Sequence, residues 1–241
     1  KGDPRDHFRG GAERIIVSAP TKGEDITLVM GVNHILYDPN EHRYISNASC
    51  TTKALAMPLK ALIDAGVYVD AVEMDTAHAT TAKQDVLRTL NNLLLATTGA
   101  ASDIARIIPS LEGKLGGFEL RAPIDEGAFA NLYLVVAYEG DFDTKKVNDI
   151  LARSAVSNKY CRRIKFDYTE DLTDISLKDY IIGRKENAVI IGAATEVLPL
   201  SFESDKGKTY LVRIVSGYDN ELAPAVDQDL LTRYIAKVSG Y

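Results

Sequence analysis

Ser46-Asn47-Ala48-Ser49-Cys50-Thr51-Thr52 joins a short strand pattern, Tyr44-Ile45, to a helical pattern in which Leu55, Leu59, Leu62 and Ile63 share one face as far as about Ala65. Gly66 then ends the helix. The stretch thus places a thiol where a strand stops and a helix begins. The first backbone N–H groups of a helix have no intrahelical acceptor, and the helix dipole is positive there, so such a position is expected to lower a thiol's pKa and to attract anions. The hydroxyls of Ser49, Thr51 and Thr52 flank that thiol and are suited to hold a phosphate or an oxyanion.

Working outward, Arg14–Ser18 and Thr27–Val32 read as buried strands around the turn at Asp38-Pro39-Asn40. After the helix, Asp70–Thr76 alternates as a strand and Thr98–Ile108 reads as a helix stopping before Pro109. Phe118–Arg121 and Leu132–Tyr138 read as neighbouring strands, and Thr144–Ala152 as a helix with Val147, Ile150 and Leu151 inward. Ala188–Ile191, Glu196–Ser201 and Tyr210–Val215 are three further strands, and Asn220–Val238 is a terminal helix. Elements alternate at the start and segregate in the middle. The expected class is therefore an α+β domain with a mixed or antiparallel sheet, attached to the C-terminal remnant of a Rossmann-type α/β domain. Apolar strands such as Tyr133–Val136 and Val189–Ile191 suit a core or an interface.

The bulk numbers narrow the function. The chain has 241 residues, 46% of them hydrophobic, enough for one large or two modest cores. A net charge of −6 argues against a general nucleic-acid binder. Four His and two Cys, widely scattered, give no zinc framework, and the two Cys read as cytosolic thiols. No apolar run reaches membrane-spanning length and no signal peptide is visible, so a cytoplasmic location is expected. No G-x-G-x-x-G occurs. The chain starts at Lys1 without a Met, so it reads as a fragment or a processed product.

Ser46–Thr52 resembles the active-site segment of the glyceraldehyde-3-phosphate dehydrogenase family. Other stretches resemble the family in the same order. They are Gly10–Pro20, Met30–His34, Thr98-Gly99-Ala100-Ala101, Gly113–Pro123, Tyr168-Thr169-Glu170-Asp171 and Tyr218-Asp219-Asn220-Glu221. The resemblance implies a Cys nucleophile at Cys50 and a partner base at His78. It implies an inorganic-phosphate pocket at Ser49, Thr51, Thr98 and Gly99, and a substrate-phosphate pocket at Thr81 and Arg121. Asn220 would hydrogen-bond the nicotinamide amide of NAD or NADP; on spacing alone it would cap the terminal helix. For Arg121 the alternative is an ordinary sheet ion pair, and for His78 a structural side chain.

The family chemistry would oxidise a phosphorylated aldehyde through a Cys thioester, with hydride passing to NAD(P) and inorganic phosphate releasing the product, as in glycolysis. A homotetramer is implied. Residues 1–49 would end the NAD-binding domain, 50–219 would form the catalytic domain, and 220–241 would be a helix packing back on the former. Departures from the family pattern are Lys53 for Asn, Lys83 for Thr, a shorter segment between His78 and Thr98, and Gly217, Leu222 and Ala223-Pro224 for aromatic and small residues. Lys53 would lie near the thiol and lower its pKa, or point to solvent. These departures leave two alternatives: a paralogue acting on erythrose 4-phosphate, or a non-catalytic relative kept for binding or regulation.

Overall fold

The computed structural model describes residues 2–80 and 91–241. Thr81 and Lys83 lie outside the described residues. The chain opens with a short helix α1 (Asp6–Arg9) and a three-stranded parallel sheet of β1 (Ile15–Val17), β3 (Tyr44–Ser46) and β2 (Ile26–Thr27), in that spatial order. The stretch expected to continue β2 to Val32 turns instead. Asn33 folds back on it, accepting from Val29 N–H (2.9 Å) and donating to Thr27 O (2.8 Å). Gly31 sits there at φ +79°, and a Cβ on it would lie 2.6 Å from Tyr160 O, so the close approach requires glycine.

Helix α2 (Cys50–Asp64) follows, capped by Ser49, whose Oγ accepts from Thr52 N–H at 3.0 Å. It continues past Pro58 because it is buried along most of its length, from Thr51 to Leu62. Then come β4 (Tyr68–Ala79), β5 (Leu94–Ala96), helix α3 (Ala100–Ile107), β6 (Leu115–Ala122), β7 (Ala128–Tyr138) and helix α4 (Thr144–Val156). The chain closes with β8 (Ile164–Asp167), β9 (Ala188–Ile191), β10 (Glu196–Ser204), β11 (Gly207–Tyr218) and helix α5 (Leu222–Val238).

Strands β4 to β11 form one mixed sheet in the order β5-β6-β4-β7-β11-β9-β8, with β10 also paired to β11. The β4–β6 and β8–β9 pairs are parallel and the others antiparallel. β6 and β7 are therefore not neighbours: β4 runs between them. Pro123, with no N–H to continue the ladder, ends β6, and the connection passes over the end of β4, where Ala79 N–H donates to Gly127 O (3.1 Å). Strand alternation sends Leu132, Leu134 and Val136 of β7 into the main core with Leu55, Leu59 and Leu62 of α2, while Tyr133 faces outward and is 37% exposed.

Helix α5 starts two residues later than the pattern suggested. Asp219, not Asn220, holds its first amides, accepting from Glu221 N–H (2.9 Å) and Leu222 N–H (2.7 Å). Its Leu231 and Ile235 pack with Leu28, Met30, Tyr37 and Ile45 from around the small parallel sheet. Among the described residues no helix is long and apolar enough to cross a membrane.

Candidate active site

The backbone makes the site before any side chain does. At the end of β3, Asn47 N–H donates to Val17 O (2.8 Å) and its side chain donates to Leu28 O (2.9 Å) and to Asp227 of α5 (3.0 Å). Ala48 then takes a left-handed conformation, φ +54°, which costs energy for a residue with a Cβ and persists only where its surroundings impose it. That turn delivers Ser49 to the cap and Cys50 to the first helical position.

The sheet supplies the facing groups. β4 and β6 are parallel and in register at Thr76–Glu119 and His78–Arg121, so these four side chains share a face. His78 also pairs with Ala128 of β7, which pairs with Tyr218 of β11. The small Ala128 between them lets the His78 and Tyr218 rings meet edge-on, with centroids 5.9 Å apart. Arg121, His78 and Tyr218 thus form a row across the end of the sheet, and Cys50 comes down on it from α2.

Cys50 Sγ lies 3.4 Å from His78 Nε2. Thr51 Oγ1 lies 4.0 Å from that sulfur and shares a 2.9 Å hydrogen bond with Tyr218 OH. Ser49 Oγ accepts from Thr52 N–H in the helix cap and lies 2.7 Å from Thr52 Oγ1. Arg121 Nη1 lies 2.8 Å from His78 Nδ1 and 3.1 Å from Ala79 O, while Nη2 pairs with Glu119 Oε2 at 2.5 Å. The sheet ion pair weighed for Arg121 is therefore present, but it sits beside the thiol, and Arg121 Nε is buried with no partner among the described residues.

Thr98 and Gly99 stand at the N-terminus of α3, where Thr98 Oγ1 accepts from Ala100 N–H at 3.2 Å. Among the described residues no hydrogen bond links them to Cys50. Asn220 Oδ1 accepts from Gly127 N–H at 2.6 Å, which leaves its Nδ2 hydrogens to donate elsewhere.

The electrostatics run against the expected low thiol pKa. Burial pushes the Cys50 thiol up; the Thr51 hydrogen bonds and the Lys53 charge oppose this, and Glu119 adds to it. Burial also pushes His78 down, with Arg121 adding to that effect and the Ala79 carbonyl opposing it. Both directions favour the uncharged form of each partner. Lys53 does not reach solvent: it is 1% exposed, and its Nζ meets no hydrogen-bond partner among the described residues. Burial lowers its pKa to about 8, against the opposing charges of Asp227 and Cys50.

The family model of the glyceraldehyde 3-phosphate dehydrogenase C-terminal domain matches residues 49–220, most of the chain. The chain belongs to the glyceraldehyde-3-phosphate dehydrogenase family. Among its relatives, glyceraldehyde-3-phosphate dehydrogenase of Streptomyces coelicolor is 35% identical over 232 residues, covering 92% of this chain and 64% of the relative. Glyceraldehyde-3-phosphate dehydrogenase 2 of Bacillus subtilis is 33% identical over 241 residues, covering 95% and 66%. Glyceraldehyde-3-phosphate dehydrogenase of Geobacillus stearothermophilus is 32% identical over 245 residues, covering 97% and 68%. This glyceraldehyde-3-phosphate dehydrogenase relative thus spans about two thirds of the length of those proteins. Its α+β sheet domain carries the family match.

Sequence reading missed three contributors: Glu119, Tyr218 as a partner of Thr51, and Ala79 O. Glu119 had a visible signal, since it stands two residues before Arg121 in a strand and so shares its face. Tyr218 and Ala79 O were not findable without the strand order.

Proposed function

We propose that this chain is the catalytic part of an NAD(P)-dependent phosphorylating aldehyde dehydrogenase acting on glyceraldehyde 3-phosphate. The observation that carries the reading is the 3.4 Å contact between Cys50 Sγ, at the first position of α2, and His78 Nε2. Residues 1–49 then end the cofactor-binding domain, 50–219 form the catalytic domain, and 220–241 dock back on the former. The working protein is a cytoplasmic homotetramer.

In this reading Cys50 Sγ, as thiolate, adds to the aldehyde carbon and gives a thiohemiacetal. His78 takes the hydroxyl proton as the C–H hydride departs, leaving a thioester on Sγ. Inorganic phosphate, held by Ser49, Thr51, Thr98 and Gly99, then attacks the thioester carbonyl, and Cys50 leaves as thiolate. Arg121 and Thr81 hold the substrate's own phosphate; a guanidinium suits that role because its planar fork matches phosphate oxygens. NAD or NADP, when bound, supplies the hydride acceptor. Asn220 fits a carboxamide partner, because its carbonyl is already engaged by Gly127 and its amide hydrogens remain to donate.

The test is NAD(P)H formation by the intact protein with glyceraldehyde 3-phosphate and inorganic phosphate. Cys50→Ser is expected to lower turnover by at least about 10³-fold, as removal of a covalent nucleophile does. Turnover of the variant at the wild-type rate would sink the reading.

A further inference from the structure

Glu119 is a buried carboxylate paired with Arg121, one residue removed from the Cys50–His78 contact. It is 5% exposed, shares a strand face with Arg121 and holds its Nη2 at 2.5 Å. Arg121 in turn places Nη1 2.8 Å from His78 Nδ1, and His78 Nε2 reaches Cys50 Sγ at 3.4 Å. The four side chains form one line from carboxylate to sulfur. A guanidinium only donates hydrogen bonds. While Arg121 donates to Nδ1, that nitrogen must be the bare acceptor, so the ring is neutral with its proton on Nε2. An imidazolium needs a proton on both nitrogens. The acceptor for a second proton is already in place: Ala79 O lies 2.8 Å from Nδ1. The ring therefore has two mutually exclusive partners on one nitrogen, and Arg121 decides between them.

We propose that Glu119 is the resident anion of the Arg121 site: it parks the guanidinium on His78 and keeps the Cys50–His78 pair uncharged until a phosphorylated ligand takes Arg121 away. Once Arg121 moves to the ligand, the Cys50 thiol gives up its proton and Nδ1 gains one. The imidazolium then donates Nε2–H to the thiolate and Nδ1–H to Ala79 O. Other charged or titratable groups face this pair. Lys53 lies on the same helix as Cys50, and Tyr218 lies across the sheet from His78. Glu119 is then a positioning residue that acts through Arg121, and it sets how much anion the site needs. The inference rests on the proposed dehydrogenase reading for its ligand class. It concerns the thiolate, however, and that can be measured without turnover.

The experiment is iodoacetamide alkylation of Cys50 in the intact protein at neutral pH, titrated with inorganic phosphate and read by peptide mapping. In the wild type phosphate should speed alkylation several-fold. Glu119→Gln should reach the same maximum at about tenfold lower phosphate, because a carboxylate binds a guanidinium about twice as strongly as a neutral amide does. Glu119→Asp should restore most of the anion requirement. Arg121→Met should react fast without phosphate and no longer respond to it. In turnover, Glu119→Gln should lower KM for the phosphorylated aldehyde by a similar factor and leave kcat within about twofold. A wild-type rate indifferent to phosphate would overturn the proposal. So would a Glu119→Gln titration within about twofold of wild type, or continued phosphate activation of Arg121→Met. If alkylation responds as stated but no aldehyde is oxidised, the gating stands and the dehydrogenase reading falls.

Discussion

The chain contains two cysteine–histidine contacts, built from similar parts to different ends. Cys50 Sγ is 3.4 Å from His78 Nε2, and Cys161 Sγ is 3.7 Å from His34 Nε2. Burial pushes both thiols up and both imidazoles down. The difference lies on the far nitrogen and beneath the sulfur. His34 Nδ1 accepts from Gly31 N–H at 3.1 Å, a backbone donor that cannot leave, so that ring is fixed as neutral. His78 Nδ1 faces a side-chain donor, Arg121, which can leave, and a carbonyl ready to replace it. Cys50 opens a fifteen-residue helix, whereas Cys161 sits in a left-handed turn at φ +53° with Asp227 raising its pKa further. A short Cys–His distance is thus not a mark of function by itself. The difference is a second partner that can be exchanged, together with a place at the first position of a long helix.

The largest expected contrast is in turnover. His78→Asn should cost about 10²–10⁴-fold in kcat, the usual range for a general base, while His34→Asn should leave kcat within about twofold. Equal losses in steady-state assays would erase the distinction between the two pairs. Next comes a residue that touches both regions. Asp227 accepts from Arg163 Nε (3.1 Å), Asn187 Nδ2 (2.7 Å) and Asn47 Nδ2 (3.0 Å), and it is fully buried. Asp227→Ala strands Arg163 as a buried cation and should cost about 3–5 kcal/mol in urea unfolding. A loss below about 1 kcal/mol would show that the cluster relaxes with little strain.

The smallest effect sharpens the electrostatic side. Lys53 titrates near 8 in the folded chain against an ordinary 10.5. Between those values the unfolded chain binds the extra proton, so stability should rise with pH across that window and be flat for this group below about 8. Lys53→Met should remove the rise. It should also stabilise the protein by up to roughly 3 kcal/mol below that window, since each pH unit separating the folded and unfolded titrations corresponds to about 1.36 kcal/mol. Urea midpoints measured from neutral pH to above about 10 would check it. A wild type whose stability falls through this range would contradict the buried-amine assignment.

Much of this is legible in the sequence, and the parts that are not share a cause. Apolar spacing locates β1, β3, α2 and most of the later strands, because burial of one face leaves a period that can be read locally. It misreads 28–32 as a strand, since Leu28 to Val32 are apolar but the polar Asn33 sets their turn. It pairs β6 with β7, since periodicity reports which face is buried and not which strand lies alongside. Within the site, the motifs point to Cys50, His78 and Arg121, and these side chains do converge. The pairing of Tyr218 with Thr51 and the burial of Lys53 depend on register and on partners far along the chain, such as Asp227. No local pattern encodes those.

That distance has a consequence for how the protein is made. Asn47, which anchors the turn into Cys50, finds Asp227 only 180 residues later. On a ribosome adding about 5–20 residues per second, the two are separated by roughly ten to forty seconds of synthesis. Throughout that interval the turn has only its local contacts, on Val17 O and Leu28 O. The turn that carries Cys50 is written early in the message and gains its last contact near the end of synthesis.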